Sequence, residues 1–413
     1  MTAKGLVAAA IAAAAWTIQP AAAQTPSIGG MWDATVTAGG VEVPFRMQIA
    51  ASGASITGTF FNGDEKMSSS AGTFDHGALS IEWDALGTKL DATVKDGELD
   101  GLYSRGGRGA PLPFHAKKFV AAAVADAKVP SIAGLWVMNL PKKSSKGEDA
   151  WQLIVRQSGG EVSAAILRVD GDTGTLTGTY RDGKFVLGHF SGARPARVEI
   201  TPQADGSLLV VENRNAPVPA VRDDQAKAKG LPQPTDPTRF TSVTDPGEPF
   251  RWSFPDLTGK IVSNTDPQFR GKVVIVDIAG SWCPNCHDET PFLVDLYRKY
   301  HDRGLEIVAL SFEEAAQLKN PTRLKAFIKH YGITYTVLVP GEPKEASALL
   351  PQAVNLNSFP TTFFVGRDGR VKSAHAGFPG KASGKFHEEA KQEMTRTVEQ
   401  LLSERVQSLA GNR

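Results

Sequence analysis

Hydrophobic and polar positions alternate with a period of two through the first half of the chain. Stretches such as VEVPFRMQIAA (41–51) and ASITGTFFN (54–62) place apolar residues at every second position, as half-buried β-strands do. Glycine-containing turn pairs recur between such stretches: Gly39-Gly40, Asn62-Gly63, Asp96-Gly97, Gly159-Gly160, Asp182-Gly183 and Asp205-Gly206. This density of turns predicts antiparallel β-meanders that close into small barrels or sandwiches.

The two halves of this β-rich region resemble each other in sequence. PSIGGMWDATV begins at Pro26 and PSIAGLWVMNL begins at Pro130. We therefore predict a first β repeat over residues 26–120 and a second over 130–215. The tryptophan near the start of each copy is interpreted as a buried side chain that fills one end of a β core, rather than as part of a ligand site.

The pattern changes after a proline-rich stretch over 216–249, which is predicted to be a linker. Beyond it, continuous apolar runs indicate buried parallel strands and 3.6-residue spacing indicates helices. The predicted elements are strands over 272–280, 305–312 and 334–339, helices over 284–303, 321–332 and 384–407, and a hairpin over 361–378. The order β-α-β-α-β-β-β-α predicts an α/β domain with a mixed sheet over 250–413, and a multidomain chain as a whole.

The N-terminus has the pattern of an export signal. Lys4 precedes the apolar segment 5–18, and Ala21-Ala22-Ala23 fits a cleavage site for small residues. We predict a signal peptide over 1–23 and a soluble periplasmic protein. The alternative is an uncleaved signal that anchors the chain to the membrane.

Charge and composition exclude some partners. Without residues 1–23, whose one charged side chain is Lys4, 44 Lys and Arg balance 44 Asp and Glu. A mature chain without net charge offers no electrostatic reason to bind nucleic acid or anionic lipid.

The chain has only two cysteines, Cys283 and Cys286, and both lie in the stretch GSWCPNCHDETP (280–291). An exported protein meets an oxidising compartment, but a crosslink between residues three apart closes too small a loop to stabilise a fold much. Cys283 follows a predicted strand, and Pro284 suits the first position of the next helix. Free N–H groups at a helix N-terminus stabilise thiolates, so Cys283 is predicted to be the exposed nucleophile and Cys286 the shielded resolving thiol.

Asp277 ends the apolar strand six residues before Cys283. If buried, its pKa would rise and it could accept a proton from Cys286. In the alternative, the side chain points to solvent beyond the strand.

His287 raises other interpretations of the same motif. Cys283 to His287 also spells C-x-x-C-H, the attachment signature of c-type haem, but the motif follows a buried strand instead of lying in a small helical domain. A zinc site would need a second ligand cluster, and peroxidase chemistry would favour threonine where Gly280 stands. We therefore expect no metal and no bound cofactor beyond a redox-active Cys283–Cys286 disulfide. Pro284, Asn285 and a protonated His287 are expected to tune its potential.

Taken together, these motifs resemble the TlpA/ResA-type family of exported thioredoxin-fold disulfide reductases over about 250–408. The resemblance rests on Trp282-Cys283-Pro284-Asn285-Cys286, the upstream Asp277, Pro291 and Phe359-Pro360-Thr361. It implies that Pro360 is cis and faces the Cys283 sulfur, and that Trp282, Phe359 and Thr361 flank a groove for substrate backbone. Gly280-Ser281 and Asp277 depart from the commoner family residues.

Two functions follow as hypotheses. In the first, the chain is an exported thiol-disulfide oxidoreductase that reduces protein disulfides and receives electrons from a membrane thiol donor. In the second, the β repeats recognise an envelope partner and the C-terminal domain serves as a dock. The intact CPNC dithiol favours the enzyme, although Pro284-Asn285 does not determine the direction of electron flow.

Overall fold

The computed structural model describes residues 28–52, 55–120 and 129–404. The predicted signal peptide over 1–23 lies outside these residues, as do the first two residues of the first repeat and the last residues predicted for helix 384–407.

The first β domain is a single antiparallel sheet of nine strands. Alternating apolar side chains point inward into one core, which contains Trp32, Phe60 and Trp83. The sheet runs in the order β4-β3-β2-β1-β9-β8-β7-β6-β5 and rolls up until β5 lies against β3, where a Cβ on Gly72 would lie 2.5 Å from the Ile56 carbonyl oxygen. Its strands are β1 (Gly30–Ala38), β2 (Val41–Ser52), β3 (Ser55–Asn62), β4 (Glu65–Ser68), β5 (Ala71–Asp75), β6 (Ala78–Trp83), β7 (Thr88–Lys95), β8 (Glu98–Ser104) and β9 (Leu112–Lys118).

The second β domain closes into a barrel, because the strands at the two ends of its sheet pair with each other. The order is β11-β10-β18-β17-β16-β15-β14-β12, with β13 beside β12 and an additional β11–β12 ladder. Its strands are β10 (Gly134–Asn139), β11 (Ala150–Ser158), β12 (Glu161–Arg168), β13 (Gly171–Asp172), β14 (Leu176–Arg181), β15 (Lys184–His189), β16 (Ala196–Pro202), β17 (Leu208–Glu212) and β18 (Val218–Arg222). The prediction that the N-terminal region is all-β is therefore confirmed.

Two tryptophans occupy corresponding places in the two domains. Each indole donates a hydrogen bond to the carbonyl four residues earlier: Trp32 to Ile28 (3.0 Å) and Trp136 to Ile132 (2.9 Å). Both side chains are buried in their cores. The duplication itself stays a prediction, and these matching contacts agree with it.

The proline-rich segment expected to be a linker contains regular structure. Strand β18 lies within 216–249 and completes the second barrel by pairing with β10 and β17. Alternating burial of Val218, Ala220 and Arg222 against these neighbours explains why the chain is extended there. Helices α1 (Asp223–Ala228) and α2 (Pro237–Phe240) and strand β19 (Ser242–Val243) follow.

The C-terminal domain has a five-stranded mixed sheet in the order β24-β23-β22-β26-β27, and its predicted α/β fold is confirmed. The central strand β22 is buried along its whole length, because hydrophobic clusters pack on both faces of the sheet. The elements are β20 (Ser253–Pro255), β21 (Ile261–Ser263), β22 (Val273–Ala279), α3 (Pro284–Tyr300), β23 (Leu305–Ser311), α4 (Ala315–Lys319), α5 (Thr322–Tyr331), β24 (Thr336–Leu338), α6 (Ala346–Leu349), β25 (Ala353–Val354), β26 (Thr361–Val365), β27 (Val371–Ala376) and α7 (Lys385–Ser403).

The two β domains share part of a core. Phe190, which follows β15 of the second domain, is fully buried in the cluster of the first domain. Its ring centroid lies 4.4 Å from that of Phe45, and its backbone exchanges hydrogen bonds with the Asn62 side chain at 2.9 and 3.1 Å. The second domain therefore anchors itself in the first through one aromatic side chain.

The second β domain also packs against the C-terminal domain. Gly171 forms a parallel bridge with Phe378, and Arg156 donates to the carbonyl of Ala382 at 3.2 Å. Asp172 accepts a hydrogen bond from Ser383. We expected few contacts between the β repeats and the C-terminal domain, and this interface corrects that expectation.

None of the helices in the described ranges is both long and apolar enough to cross a membrane.

Candidate active site

Both cysteines lie at the start of α3, directly after the central strand. Strand β22 ends at Ala279, a turn closes through a hydrogen bond from Cys283 N–H to the Gly280 carbonyl (3.0 Å), and Cys283 becomes the N-cap of α3. Pro284 takes the first helical position, where its missing N–H costs nothing. Cys286 follows within the first turn, and both residues are free thiols.

The two thiols differ in acidity. Burial by itself raises the pKa of Cys283, but hydrogen bonding from the Cys286 thiol and the positive charge of Arg194 outweigh it and leave this pKa below its ordinary value. Burial raises the pKa of Cys286 well above the ordinary value, and the charges of Cys283 and Asp277 raise it further. Cys283 is therefore the thiol that ionises first.

Two buried carboxyl groups lie behind the dithiol. Burial raises the pKa of Asp277 on β22 to about 7. Glu289, on α3, accepts a hydrogen bond from Thr362 at 2.7 Å, and its pKa is raised well above the ordinary value by burial and by the charge of Asp277. Among the described residues, no hydrogen-bond partner reaches Asp277 Oδ1 or Glu289 Oε2. Both groups can therefore exchange protons at a pH near neutrality or above.

Glu289 is a site residue that the sequence analysis missed. A signal was available, because Glu289 stands three residues after Cys286 and therefore lies on the same helix face. That face points at the sheet, where Thr362 pairs with Asp277 in the β22–β26 ladder.

The segment before β26 lies against Cys283. The Cys283 thiol donates to the carbonyl of Phe359 at 3.4 Å, and the Phe359–Pro360 peptide bond is cis. The Phe359 ring packs beside Trp282, with centroids 5.3 Å apart, and both side chains are half-buried. Thr361 differs from our expectation of a groove residue, because it is fully buried and its hydroxyl donates to the Ser358 carbonyl at 2.8 Å.

Cys283 is buried, although the sequence analysis predicted an exposed nucleophile. Its exposed fraction is 0%, and that of Cys286 is 1%. The side chains packed around Cys283 include Ala279, Trp282 and Phe359. The second β domain lies against the neighbouring Asn285, whose side chain donates a hydrogen bond to the Asp170 carbonyl at 2.6 Å. Asn285, expected to tune the dithiol, therefore ties the CPNC motif to residues 169–171.

His287 is neutral at physiological pH. Burial lowers its pKa to about 4, and its ring nitrogens are hydrogen-bonded to Tyr331 Oη (2.8 Å) and the Ser281 carbonyl (3.0 Å). The expected tuning by a protonated His287 therefore does not operate near neutral pH. The side chain instead connects the active-site turn to α5.

A cavity of about 1110 Å³ opens beside the dithiol, between both β domains and the start of α3. Pro284 and Asn285 line it, together with carboxyl groups from three parts of the chain: Glu65, Asp172 and Asp288. Burial raises the pKa of each of these three groups, and mutual repulsion raises those of Glu65 and Asp288 further. Across the described ranges, no three His, Cys, Asp or Glu side chains are grouped so that they could hold a metal ion.

Comparisons with known proteins place the similarity in this part of the chain. The sequence profile of the AhpC/TSA family matches residues 246–374. The thiol-disulfide oxidoreductase ResA of Bacillus thuringiensis subsp. konkukian (strain 97-27) is 33% identical over 118 residues, which are 28% of this chain and 60% of that protein. The ResA of Geobacillus thermodenitrificans (strain NG80-2) is 29% identical over 135 residues, 33% of this chain and 71% of the relative.

A solved structure is also similar to this chain: a putative thiol:disulfide interchange protein DsbE from Chlorobium tepidum, at 24% identity and a TM-score of 0.31. The match covers 39% of this chain and 99% of that one. The chain spans about 60% of the length of the first curated relative named above.

Proposed function

Because the C-terminal part of the chain carries a thioredoxin-like domain of the AhpC/TSA family, we propose that this protein is an exported thiol-disulfide oxidoreductase that reduces protein disulfides. The observation that carries the proposal is the pair of thiols at the start of α3, with Cys283 at the N-cap and Cys286 one turn later. Their pKa values are moved in opposite directions, which separates an attacking thiol from a resolving one.

The reaction uses two exchange steps. The Cys283 thiolate attacks a substrate disulfide, a mixed disulfide forms, and one substrate sulfur leaves as a thiolate. Cys286 then loses its proton and attacks the Cys283 sulfur, which releases the second substrate thiolate and leaves a Cys283–Cys286 disulfide. Two electrons have passed to the substrate, and an external dithiol, which we propose is a membrane thiol donor, restores the reduced form.

Asp277 is the proton acceptor for Cys286 in this proposal. Its charge acts on Cys286, and a carboxyl group with a pKa of about 7 is ready to accept a proton near neutral pH. Glu289 interacts with Asp277 and provides a second proton site behind the dithiol.

The same geometry weighs against the docking hypothesis. A domain that served only as a dock would have no need for two thiols of different acidity with buried proton acceptors behind them. The β domains are then assigned to controlling access to the dithiol, because Asp170 and its neighbours cover the CPNC motif.

The proposal is tested with two single-cysteine variants. Cys286→Ala should accumulate mixed disulfides with oxidised protein substrates, visible on non-reducing gels and lost on reduction. Cys283→Ala should trap almost none, because the pKa of Cys286 is raised well above its ordinary value. Insulin reduction with dithiothreitol as donor should be catalysed by the native chain and abolished in both variants. Equal trapping by both variants would contradict the assigned roles, and no catalysis by the native chain would refute the oxidoreductase.

A further inference from the structure

A buried ion pair lies next to the turn that carries the dithiol. Glu313, two residues after β23, has an exposed fraction of 0%, and Arg323 in α5 has 3%. Their charged groups are 3.0 Å apart. A buried pair is costly unless hydrogen bonds satisfy it, so its place in the structure needs an explanation.

The hydrogen bonds of this pair converge on Ser281. The Glu313 carboxylate accepts the Ser281 N–H and the Ser281 hydroxyl, both at 2.8 Å, and also the Ser311 hydroxyl at 2.7 Å. Arg323 Nε donates to the Ser281 hydroxyl at 2.8 Å, and its Nη1 donates to Glu314 at 2.7 Å. The N–H and the hydroxyl of Ser281 are therefore both hydrogen-bonded to the ion pair.

Ser281 in turn belongs to the turn that sets the position of Cys283. Its carbonyl is hydrogen-bonded to His287 in the first turn of α3 at 3.0 Å. The Trp282 indole donates to the Phe312 carbonyl at 2.9 Å, so the segment after β23 holds the active-site turn at two consecutive residues. The backbone N–H and the carbonyl of Ser281 are thus both hydrogen-bonded, which fixes the conformation of the turn at this residue.

The first β domain covers the same network. A Cβ on Gly87 would lie 3.3 Å from Arg323 Cδ, so the backbone of the first β domain lies against this side chain. Both charged groups are buried, so their attraction is screened less than that of a surface pair.

We infer that Glu313 and Arg323 are positioning residues: through Ser281 they hold Cys283 at the N-terminus of α3 and so set the redox equilibrium of the dithiol. This inference rests on one part of the proposed function, the assignment of thiol-disulfide chemistry to Cys283 and Cys286. Thiolate stabilisation at a helix N-terminus decays within one turn, so a loosened turn moves Cys283 out of the favourable field. The reduced form then loses stability relative to the disulfide.

The test measures the equilibrium of the full chain with buffers of reduced and oxidised dithiothreitol. Samples are quenched in acid and denatured, and their thiols are labelled and counted by mass, so burial does not limit detection. Ser281→Ala keeps every charge, and Glu313→Gln/Arg323→Gln removes one charge of each sign. Both should shift the equilibrium about tenfold toward the disulfide, which corresponds to ~30 mV for a two-electron couple.

The matched control is Glu248→Gln/Arg251→Gln, which removes an exposed ion pair of the same domain. It should leave the equilibrium unchanged. Should Ser281→Ala and the buried double variant both keep the native equilibrium, even with lower melting temperatures, the positioning role is overturned. If the double variant fails to fold, the equilibrium of Ser281→Ala alone tests the inference, and a native value overturns the positioning role. No protein substrate takes part in this measurement, so the two proposals can fail separately. If the variants shift the dithiol equilibrium but the native chain does not reduce insulin, the proposed function is contradicted and the positioning role is not.

Discussion

At the scale of single residues, the acidity of buried groups depends on what surrounds them. His287 and Asp277 are both buried beside the dithiol, and burial disfavours the charged form of each. The imidazole is therefore kept neutral by a lowered pKa, whereas the carboxyl is kept protonated by a raised one. Burial therefore removes the positive charge of His287 and makes Asp277 a group that can bind a proton near neutral pH.

The raised pKa of Asp277 predicts a pH-dependent stability. In the folded chain the pKa rises from 3.8 to about 7, so the native state binds more protons than the unfolded chain between these values. Stability therefore falls as pH rises through this window. Asn cannot ionise, so Asp277→Asn should gain stability over the native chain between pH 4 and 8, on the order of 4 kcal/mol.

Urea unfolding at several pH values in this range measures the effect. Asp295→Asn serves as the control, since Asp295 is an exposed carboxyl of α3 in an ion pair with Arg298. Parallel stability curves for Asp277→Asn and the native chain would show that Asp277 is not titrating as a buried acid.

At the scale of elements, one short segment of the second β domain packs against the CPNC motif. Gly171 has a φ of +122°, and a Cβ there would lie 2.6 Å from both the Asn285 amide nitrogen and the Phe378 carbonyl. Gly377 packs even closer from the other side, where a Cβ would lie 2.3 Å from the Val169 carbonyl. Residues 169–171 therefore approach the active site closely enough to need glycine on both sides.

Gly171→Ala should open this contact and make Cys283 more reactive. The added methyl forces the segment away from Asn285, so reaction of the reduced chain with Ellman's reagent should be severalfold faster. Gly183→Ala is the matched control, because it also has positive φ, in a turn of the same barrel, but with nothing within 4 Å. Equal labelling rates in the two variants would mean that residues 169–171 do not limit access.

A second prediction at this scale concerns the aromatic anchor between the β domains. Phe190→Ala removes a fully buried ring from the core of the first domain, and should lower the free energy of unfolding by about 3–5 kcal/mol. Leu102→Ala, at a side chain that is 51% exposed, should change it by less than ~0.5 kcal/mol. Chemical denaturation of both variants measures the difference, and a small effect at Phe190 would show that the two β domains pack independently.

At the scale of the whole molecule, the C-terminal domain carries its own cores. The two hydrophobic clusters on the faces of its sheet consist of residues between Val243 and Leu402. Strand β19 belongs with this domain, because Ser242 and Val243 pair with β25. We therefore expect residues 242–404 to fold as a unit, with the β domains controlling access to the dithiol as proposed above.

The fragment 242–404 should melt cooperatively and reduce insulin faster than the full chain at equal concentration. The reason is that residues 169–171 no longer pack against Asn285 beside Cys283. Cys283→Ser in the same fragment gives the blank rate. A fragment without a cooperative thermal transition would place the β domains within the folding core, and a slower fragment would show that they support the site instead of covering it.

Much of this protein follows from local patterns in the sequence. Period-two alternation determined the β domains, because successive side chains of a strand point to opposite faces. Continuous apolar runs determined strands such as β22. Pro284 determined where α3 begins, because proline has no N–H and suits the first position of a helix. The thiols and Asp277 follow from the same local patterns, whereas the family resemblance placed the segment Phe359-Pro360 beside Cys283.

Only the tertiary structure decided how the site is enclosed. Asn285 is hydrogen-bonded to Asp170 across 115 residues of sequence. Cys283, which local reasoning left exposed, is packed against Phe359 from a distant part of the chain. Ser281 depends on Glu313 and Arg323, and His287 is neutral because of the elements packed around it. Burial and long-range hydrogen bonds depend on which distant surfaces meet, and no local period of hydrophobic residues encodes that.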